Sequence, residues 1–314
     1  MARVSPSSAP LPTGHQTKDF LPGEEDWRAV RLQARHATHY FGLPWNERPW
    51  QGQGGNWRGA GVGSSIDFHD HRPYLPGDDP RHINWSAYAR SGHYSMKLYR
   101  EEVSPRVDVA IDTSASMFWL EEKRQRVWEL LHFMAESARH ARASLQIYAI
   151  DGSAWKSWKP ENLTLRDVPF PASRETSSGL PVLPDLARLP WRPSGMRILL
   201  SDLLFPAIPE DAFLPLTRPG GLSLVLIPFA SEESHPTAIG NLEWREVETG
   251  AVQPLHITSP LRERYEEAYQ NHRRWVAGLL RRHGIAHAFL SSSGSLVDCL
   301  RKEALPQRVV QAWA

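Results

Sequence analysis

Cysteine is nearly absent from this chain of 314 residues, which contains only Cys299. An internal disulfide framework and a cysteine-based zinc site are therefore excluded. No apolar run approaches the roughly 20 residues that a membrane-spanning helix needs. Neither sign of charge prevails, since 36 basic residues stand against 35 acidic ones. Because nucleic-acid binding depends on an excess of positive charge, this balance argues against a nucleic-acid partner.

Familiar catalytic motifs are also missing, since the sequence has no G-x-S-x-G elbow, no P-loop and no H-E-x-x-H. We therefore assign no catalytic residues and expect a protein that is not an enzyme. A single thiol suits a reducing compartment, so we expect a cytoplasmic protein without a membrane span. Residues 1–20 are rich in Ser, Pro and Thr and lack the apolar segment of a signal peptide.

One short stretch combines a buried strand with oxygen-bearing side chains. Residues 107–111 are apolar except for Asp108, and three of them are β-branched, which predicts a strand, and Asp112 ends it. Ser114 and Ser116 follow at alternate positions, before a predicted helix over residues 119–142. Carboxylate and hydroxyl oxygens are hard ligands that suit Mg²⁺ or Ca²⁺. In the alternative interpretation, Ser114 only caps the helix region that follows.

From about residue 105 onward, predicted strands alternate with predicted helices. This alternation predicts an α/β fold with a doubly wound, mostly parallel sheet, preceded by a small β-containing segment. Further strands are expected over residues 65–74, 93–102, 144–150, 155–159, 197–202, 222–229, 242–257 in two pieces, and 286–290. Further helices are expected over residues 24–41, 180–189, 262–283 and 296–304. Residues 45–63 and 160–176 are predicted to be loops.

Asp202 ends a second predicted strand. If this strand lies beside residues 107–111, Asp202 and Asp112 face one crevice at the carboxyl ends of the strands, where open α/β sheets bind ligands. The chain between these strands carries hydroxyls at Thr176, Ser177 and Ser178. Oxygens from three loops would then form an octahedral Mg²⁺ site that leaves a position open for a carboxylate of a partner.

These motifs resemble two known groups of proteins. Asp112-x-Ser114-x-Ser116 with the later Ser201-Asp202 resembles the metal-ion-dependent adhesion site of von Willebrand factor A domains. Upstream, Arg72-Pro-Tyr-x-Pro-Gly-Asp-Asp-Pro-Arg-x-Ile-Asn-Trp and Tyr88-Ala-Arg90 resemble the DUF58 family of bacterial proteins. The resemblance covers roughly residues 60 to 300. It implies a von Willebrand A-like, Rossmann-like domain that follows a family-specific β segment.

The resemblance also implies a ligand set and a partner. Asp112, Ser114, Ser116 and Asp202 match the metal motif, which implies Mg²⁺ or another divalent cation such as Ca²⁺ or Mn²⁺. The middle ligand of the family is usually Thr, and residue type favours Thr176, while the spacing before the next predicted helix favours Ser178. Family members are often encoded near MoxR-type AAA+ ATPases, which implies such an ATPase or its client as the protein partner.

The upstream motif supplies candidates for docking that partner. They are Arg72, Asp78, Asp79, Arg81, Trp85 and Arg90. In the alternative interpretation, residues 76–81 are only a rigid turn whose aspartates bind their own backbone. The family usually has Asp where this chain has Asn84, which questions a role for charge there.

We expect a flexible tail over residues 1–22, a helix plus the β segment over 23–104, the von Willebrand A-like domain over 105–304 and a tail over 305–314. Two functions remain. The first is a non-enzymatic, divalent-cation-dependent interaction module that works with the ATPase in assembling or activating other proteins. The alternative is a metal-dependent phosphoester hydrolase, in which Asp112 and Asp202 hold an ion that activates water. Ser114 stands where an aspartyl-phosphate phosphatase would have a second Asp, so phosphoryl transfer through Asp112 is not favoured.

Overall fold

A six-stranded sheet forms the centre of the protein, and the computed structural model describes residues 21–45, 54–62, 68–75, 80–103, 105–165, 182–217, 221–247 and 251–313. The strands found there are β1 (Phe41–Gly42), β2 (Gly54–Val62), β3 (Phe68–Pro73), β4 (Ser95–Val103), β5 (Arg106–Asp112), β6 (Ser144–Asp151), β7 (Ala154–Trp158), β8 (Met196–Leu200), β9 (Leu222–Phe229), β10 (Gly240–Arg245), β11 (Val252–Ile257), β12 (Ala286–Ser291) and β13 (Gln311–Ala312). The α-helices are α1 (Glu24–Thr38), α2 (Trp85–Ser91), α3 (Glu121–His140), α4 (Pro160–Leu165), α5 (Ser231–Ser234), α6 (Ser259–Arg282) and α7 (Leu296–Cys299).

The strand order of the large sheet is β12-β9-β8-β5-β6-β7, and only the edge strand β7 runs antiparallel to its neighbour. Of the strands in this sheet, β5 comes first in the chain, and β6 and β7 are added on one side of it. β8, β9 and β12 are then added on the other side. β5 therefore lies between β6 and β8, with Val109 opposite Ile147 and Ile198. The carboxyl ends of β5 and β8 flank the point where the order reverses, which is where open α/β sheets bind ligands.

Helices cover both faces of this sheet. Side chains alternate along a strand, so Val107, Val109 and Ile111 point to one face, and they are fully buried in a cluster with residues of α1, α3 and α7. Ala110 points to the other face and belongs to a second buried cluster with residues of α6. The predicted mixed α/β architecture with a mostly parallel sheet is confirmed.

The N-terminal helix packs into the core of the large sheet. Trp27 of α1 meets Trp128 of α3 edge-on, with ring centroids 5.1 Å apart. The amide of Leu43 donates to the Ser137 hydroxyl at 2.8 Å. Gly42 leaves room for the Trp313 ring, because a β-carbon there would collide with it. The predicted domain boundaries stay predictions, but α1 shares its core with α3 and the sheet.

The segment before β5 is a three-stranded antiparallel sheet with the order β2-β4-β3. The predicted loop over residues 45–63 is wrong for residues 54–62, which form β2. Its glycines give a poor strand signal, and pairing with β4 supplies the main-chain hydrogen bonds that make it a strand.

Two local predictions in the middle of the chain were wrong. Of the predicted helix over 180–189, the described residues 182–189 contain a single 3₁₀ turn, Leu186–Arg188, and the Asp185 side chain accepts the amide of Ala187 at 3.2 Å. Pro184 explains the error, because a proline inside a helix removes a hydrogen bond and collides with the preceding turn. Residues 160–165, predicted to be irregular, form α4 with Pro160 at its start.

The remaining predicted strands and long helices are confirmed within a few residues. β6 and β7 form a hairpin, and β10 and β11 pair in antiparallel. α6 ends at Arg282, and Gly284 two residues later takes a left-handed φ of 66°. No helix in the described part of the chain is both long and apolar enough to cross a bilayer.

Candidate functional site

Two buried carboxylates lie at the carboxyl edge of the large sheet. Asp112 is the last residue of β5, and Asp202 follows two residues after the end of β8. They are 1% and 5% exposed, respectively. β5 and β8 are adjacent and parallel, so the condition on which the shared crevice depended is met.

Asp112 is held by neutral donors alone. Its Oδ1 accepts the amide of Ser114 at 2.9 Å, and its Oδ2 accepts the Ser201 hydroxyl at 2.6 Å. Among the described residues, no ammonium or guanidinium group forms an ion pair with it. Burial raises the pKa of Asp112 from 3.8 to about 7, repulsion by Asp202 adds to this rise, and the donors Ser201 and Ser114 oppose it. The ionised carboxylate is therefore a buried negative charge without a compensating cation.

The two serines of the motif bring their hydroxyls together. Ser114 Oγ and Ser116 Oγ are 3.3 Å apart. Ser114 sits at the N-cap position of the 3₁₀ turn Ala115–Met117, yet its side chain accepts no amide of that turn. The capping interpretation is therefore not supported. In an octahedron with Mg²⁺–oxygen distances of about 2.1 Å, adjacent ligands are about 3.0 Å apart, so the observed spacing suits two adjacent ligands.

Asp202 is fixed from both sides. Its Oδ1 accepts the amide of Leu204 at 3.1 Å, and its Oδ2 accepts the ammonium group of Lys123 at 2.7 Å. Its own amide donates to the sulfur of Met117 at 3.2 Å, which ties this loop to the one that carries the serines. The carboxylate thus has one neutral and one cationic partner.

Lys123 and Glu233 complete the cluster, and the sequence interpretation missed both. Lys123 Nζ lies 2.6 Å from Glu233 Oε1, and its side chain is completely buried. Burial lowers the pKa of Lys123, but Asp202 and Glu233 more than offset this, so the pKa lies above its ordinary value. A signal was present, because Lys123 is four and eight residues before Val127 and Leu131 on the buried face of α3. A lysine at such a position must find an anionic partner.

These residues fit a divalent cation. Three carboxylates, Asp112, Asp202 and Glu233, and one ammonium, Lys123, sum to a charge of minus two when ionised (−3 + 1). Within the described ranges, no group of three or more His, Cys, Asp and Glu side chains is arranged to hold a metal. A cation here would therefore depend on hydroxyl oxygens, which Ser114 and Ser116 provide.

Other predicted site residues are placed only in part. Thr176, Ser178, Asp78 and Asp79 lie outside the described residues. The middle ligand therefore stays a choice between Thr176 and Ser178.

The docking candidates that are described belong to the three-stranded segment rather than to the large sheet. Arg72 lies in β3 opposite Met96, Arg81 lies in the 3₁₀ turn Pro80–His82, and Trp85 and Arg90 lie on α2. Trp85 is 58% exposed. The stacked rings of Tyr88 and Tyr94 lie beside it, with Trp85 centroid distances of 6.2 and 6.4 Å.

Asn84 caps α2, because its Oδ1 accepts the amide of Ala87 at 3.1 Å. Asn and Asp are about equally good at this position of a helix. Asn84 therefore supplies the capping hydrogen bond that an Asp would supply, without the negative charge.

Comparison with known families places this chain. The model of "Protein of unknown function DUF58" matches residues 70–275, which are 206 of the 314 residues. No curated protein matches the chain, and no solved structure does. The chain belongs to the DUF58 family.

Proposed function

We propose that this DUF58 protein is a divalent-cation-dependent protein-interaction module, with a von Willebrand A-like domain built on the large sheet. The observation that carries the proposal is the environment of Asp112. This carboxylate is buried with no cation beside it in the described structure, and the Ser114 and Ser116 hydroxyls lie 3.3 Å apart on the same loop. Buried charge is costly unless it is paired, and a divalent cation would pair it.

The Ser114 and Ser116 hydroxyls and Asp112 would hold the cation, with Asp202 on the neighbouring loop and a hydroxyl of Thr176 or Ser178 as the predicted middle ligand. The bound ion would supply a positive position that attracts an external carboxylate. Two neutral hydroxyls among the ligands leave the ion with positive charge to offer. The main-chain amides of Ser114 and Leu204 fix the direction of the Asp112 and Asp202 carboxylates, so this part of the recognition site is formed before the partner arrives.

The partner in this proposal is a protein that presents an exposed carboxylate. The resemblance of the upstream motif to proteins encoded near MoxR-type AAA+ ATPases favours such an ATPase or its client. The exposed Trp85 on α2 supports a second contact, because large exposed aromatic side chains are enriched where proteins bind one another.

Calorimetric titration with Mg²⁺ and Mn²⁺ tests the cation part. We expect the wild type to bind and Asp112→Asn to weaken binding by at least about 100-fold. The reason is that the variant removes the carboxylate that has no ion-pair partner among the described residues. Asp211→Asn is the matched control, since it makes the same charge change at an exposed position and should bind like the wild type. Absence of binding to the wild type would refute the proposal.

Capture of a purified MoxR-type AAA+ ATPase tests the interaction part. The wild-type chain should retain the ATPase in Mg²⁺ and release it in EDTA, and Asp112→Asn should fail to retain it in either buffer. Equal capture in EDTA would show that the interaction does not depend on the cation. Mg²⁺-dependent turnover of a generic phosphoester, lost in Asp202→Asn, would favour the hydrolase instead.

A further inference from the structure

Lys123 is a buried cation that already occupies one of the carboxylates of the candidate site. Its ammonium group is 2.7 Å from Asp202 Oδ2 and 2.6 Å from Glu233 Oε1, and no part of its side chain is exposed. We propose that Lys123 limits the affinity of the site, because it is a tethered cation that competes with a divalent ion for Asp202. The inference rests on the proposed cation site.

The hydrogen bonds of Asp202 show why the competition is direct. Oδ2 is engaged by Lys123 and Oδ1 by the amide of Leu204. A divalent ion that approaches Asp202 must share an oxygen that already has a donor, and it also meets the positive charge of Lys123 at close range. Both effects lower the affinity, and the second is stronger in a buried site than in water.

Glu233 sets how firmly Lys123 holds Asp202. Its Oε2 accepts the amide of Ala230 at 2.8 Å, and its main-chain oxygen accepts the Tyr265 hydroxyl at 2.8 Å. These hydrogen bonds hold Glu233 in α5, directly after β9. From there its Oε1 accepts a hydrogen bond from the ammonium group of Lys123. The ammonium group is thus divided between two anions, and losing Glu233 would leave it entirely to Asp202.

The same lysine connects loops that are far apart in the chain. Lys123 lies in the first turn of α3, directly after the loop that carries Ser114 and Ser116, and its partners follow 79 and 110 residues later. Its position therefore ties the loop of the hydroxyls to the loop of Asp202. A purely structural pair would stabilise the fold without altering cation affinity, and the experiment separates these roles.

The double variant Lys123→Met/Glu233→Gln is the principal test. It removes one positive and one negative charge, so the net charge of the protein is unchanged. Met keeps the length of the buried side chain, and Gln can still accept the amide of Ala230. With Asp202 released, we expect Mg²⁺ and Mn²⁺ to bind about tenfold more tightly in calorimetric titration. Lys123→Arg retains the cation and should bind as the wild type does.

The four outcomes separate the two proposals. Binding by the wild type and tighter binding by the double variant support both. Binding by the wild type and equal or weaker binding by the folded double variant overturn the role of Lys123 alone. Binding by the double variant alone supports Lys123 as a competitor and overturns the proposed function. If neither protein binds a divalent ion, both proposals fail.

Glu233→Gln decides the matter if the double variant does not fold. Lys123 then has Asp202 as its one remaining carboxylate, so divalent binding should weaken about tenfold. Glu232→Gln makes the same charge change at the exposed neighbouring position, and it should leave the affinity within about twofold of the wild type. Equal affinities in the two variants would overturn the role of Lys123.

Discussion

Strand β5 carries a buried aspartate near each end, and the two carboxylates have different hydrogen-bond partners. Asp108, near the start, is completely buried and receives two donors from one residue, the amide of Arg192 at 2.7 Å and its Nε at 2.6 Å. Asp112, at the carboxyl end, is just as inaccessible but receives only a hydroxyl and an amide. Among the described residues, Asp108 has an ion-pair partner and Asp112 has none.

This difference separates a structural carboxylate from a candidate ligand. Arg192 also donates to the main-chain oxygens of Val107 and Ser144, so the guanidinium fastens β5 to β6 at the amino edge of the sheet. At the carboxyl edge, the ammonium group of Lys123 pairs with Asp202 and Glu233 instead. The buried carboxylate at the amino edge of the sheet thus has a guanidinium partner in the described structure. The one at the carboxyl edge, where open α/β sheets bind ligands, has only neutral donors.

The largest expected effect is the pH dependence of the metal-free protein. The pKa of Asp112 is raised from 3.8 to about 7, mainly by burial. The folded state therefore holds this proton more tightly than the unfolded state. The contribution of Asp112 to the free energy of unfolding is therefore most favourable below pH 4 and falls as the pH rises to about 7, by about 1.4 kcal/mol per unit and about 4 kcal/mol in all.

Urea unfolding in EDTA across this window, compared with Asp112→Asn, measures the effect. The variant should lack this part of the pH dependence and be the more stable protein at pH 8. Saturating Mg²⁺ should restore the wild type, because a bound cation compensates the charge. Parallel pH profiles for the two proteins would contradict the prediction.

The next effect concerns the other end of the strand. Asp108→Asn should lower the free energy of unfolding at pH 7 by about 3 kcal/mol, since it leaves the half-buried Arg192 without its anion. Divalent binding, measured by calorimetry, should not change, because Asp108 lies outside the candidate site. A loss below about 1 kcal/mol would show that Asp108 is not the structural counterpart described above. Asp211→Asn again serves as the exposed control.

The smallest effect compares one hydroxyl at each end of the sheet. Ser201→Ala removes the 2.6 Å hydrogen bond to Asp112 Oδ2 and should cost about 1.5 kcal/mol at pH 8. It should also raise the pKa of Asp112 further, because this donor favours the charged form. Ser144→Ala removes an exposed acceptor of Arg192 and should cost less than about 0.5 kcal/mol. Equal losses would erase the contrast between the two ends.

Much of the candidate site could be predicted from local sequence. The largely apolar run before Asp112 and the apolar run before Ser201 and Asp202 each favour a strand wherever they occur in the fold. The carboxylate and hydroxyl oxygens that come next in the sequence therefore lie at the ends of strands. The neighbourhood of the two strands was a condition in that prediction, and only the sheet order met it. The apolar pattern of α3 marked Lys123 as buried but carried no information about its anionic partners.

The errors have a similar origin. β2 is a glycine-rich strand that depends on the register offered by β4, a partner more than 30 residues away in the chain. The helix predicted over 180–189 failed for a local reason, because the leucine spacing was given more weight than Pro184. Hydrophobic periodicity therefore predicted the long helices and strands correctly. The secondary structure of short segments depended on the strand they pair with or on a proline.

By itself, the sequence determined which oxygen donors follow which strands, because strand propensity and the polar residues at a strand end are local properties. The tertiary structure alone decided that Asp112 has no cation in the described structure while Asp202 has Lys123. Burial and charge are sums over residues that are distant in the chain, so they exist only after folding. The same type of side chain is therefore a member of an ion pair at Asp108, while at Asp112 it has no ion-pair partner among the described residues.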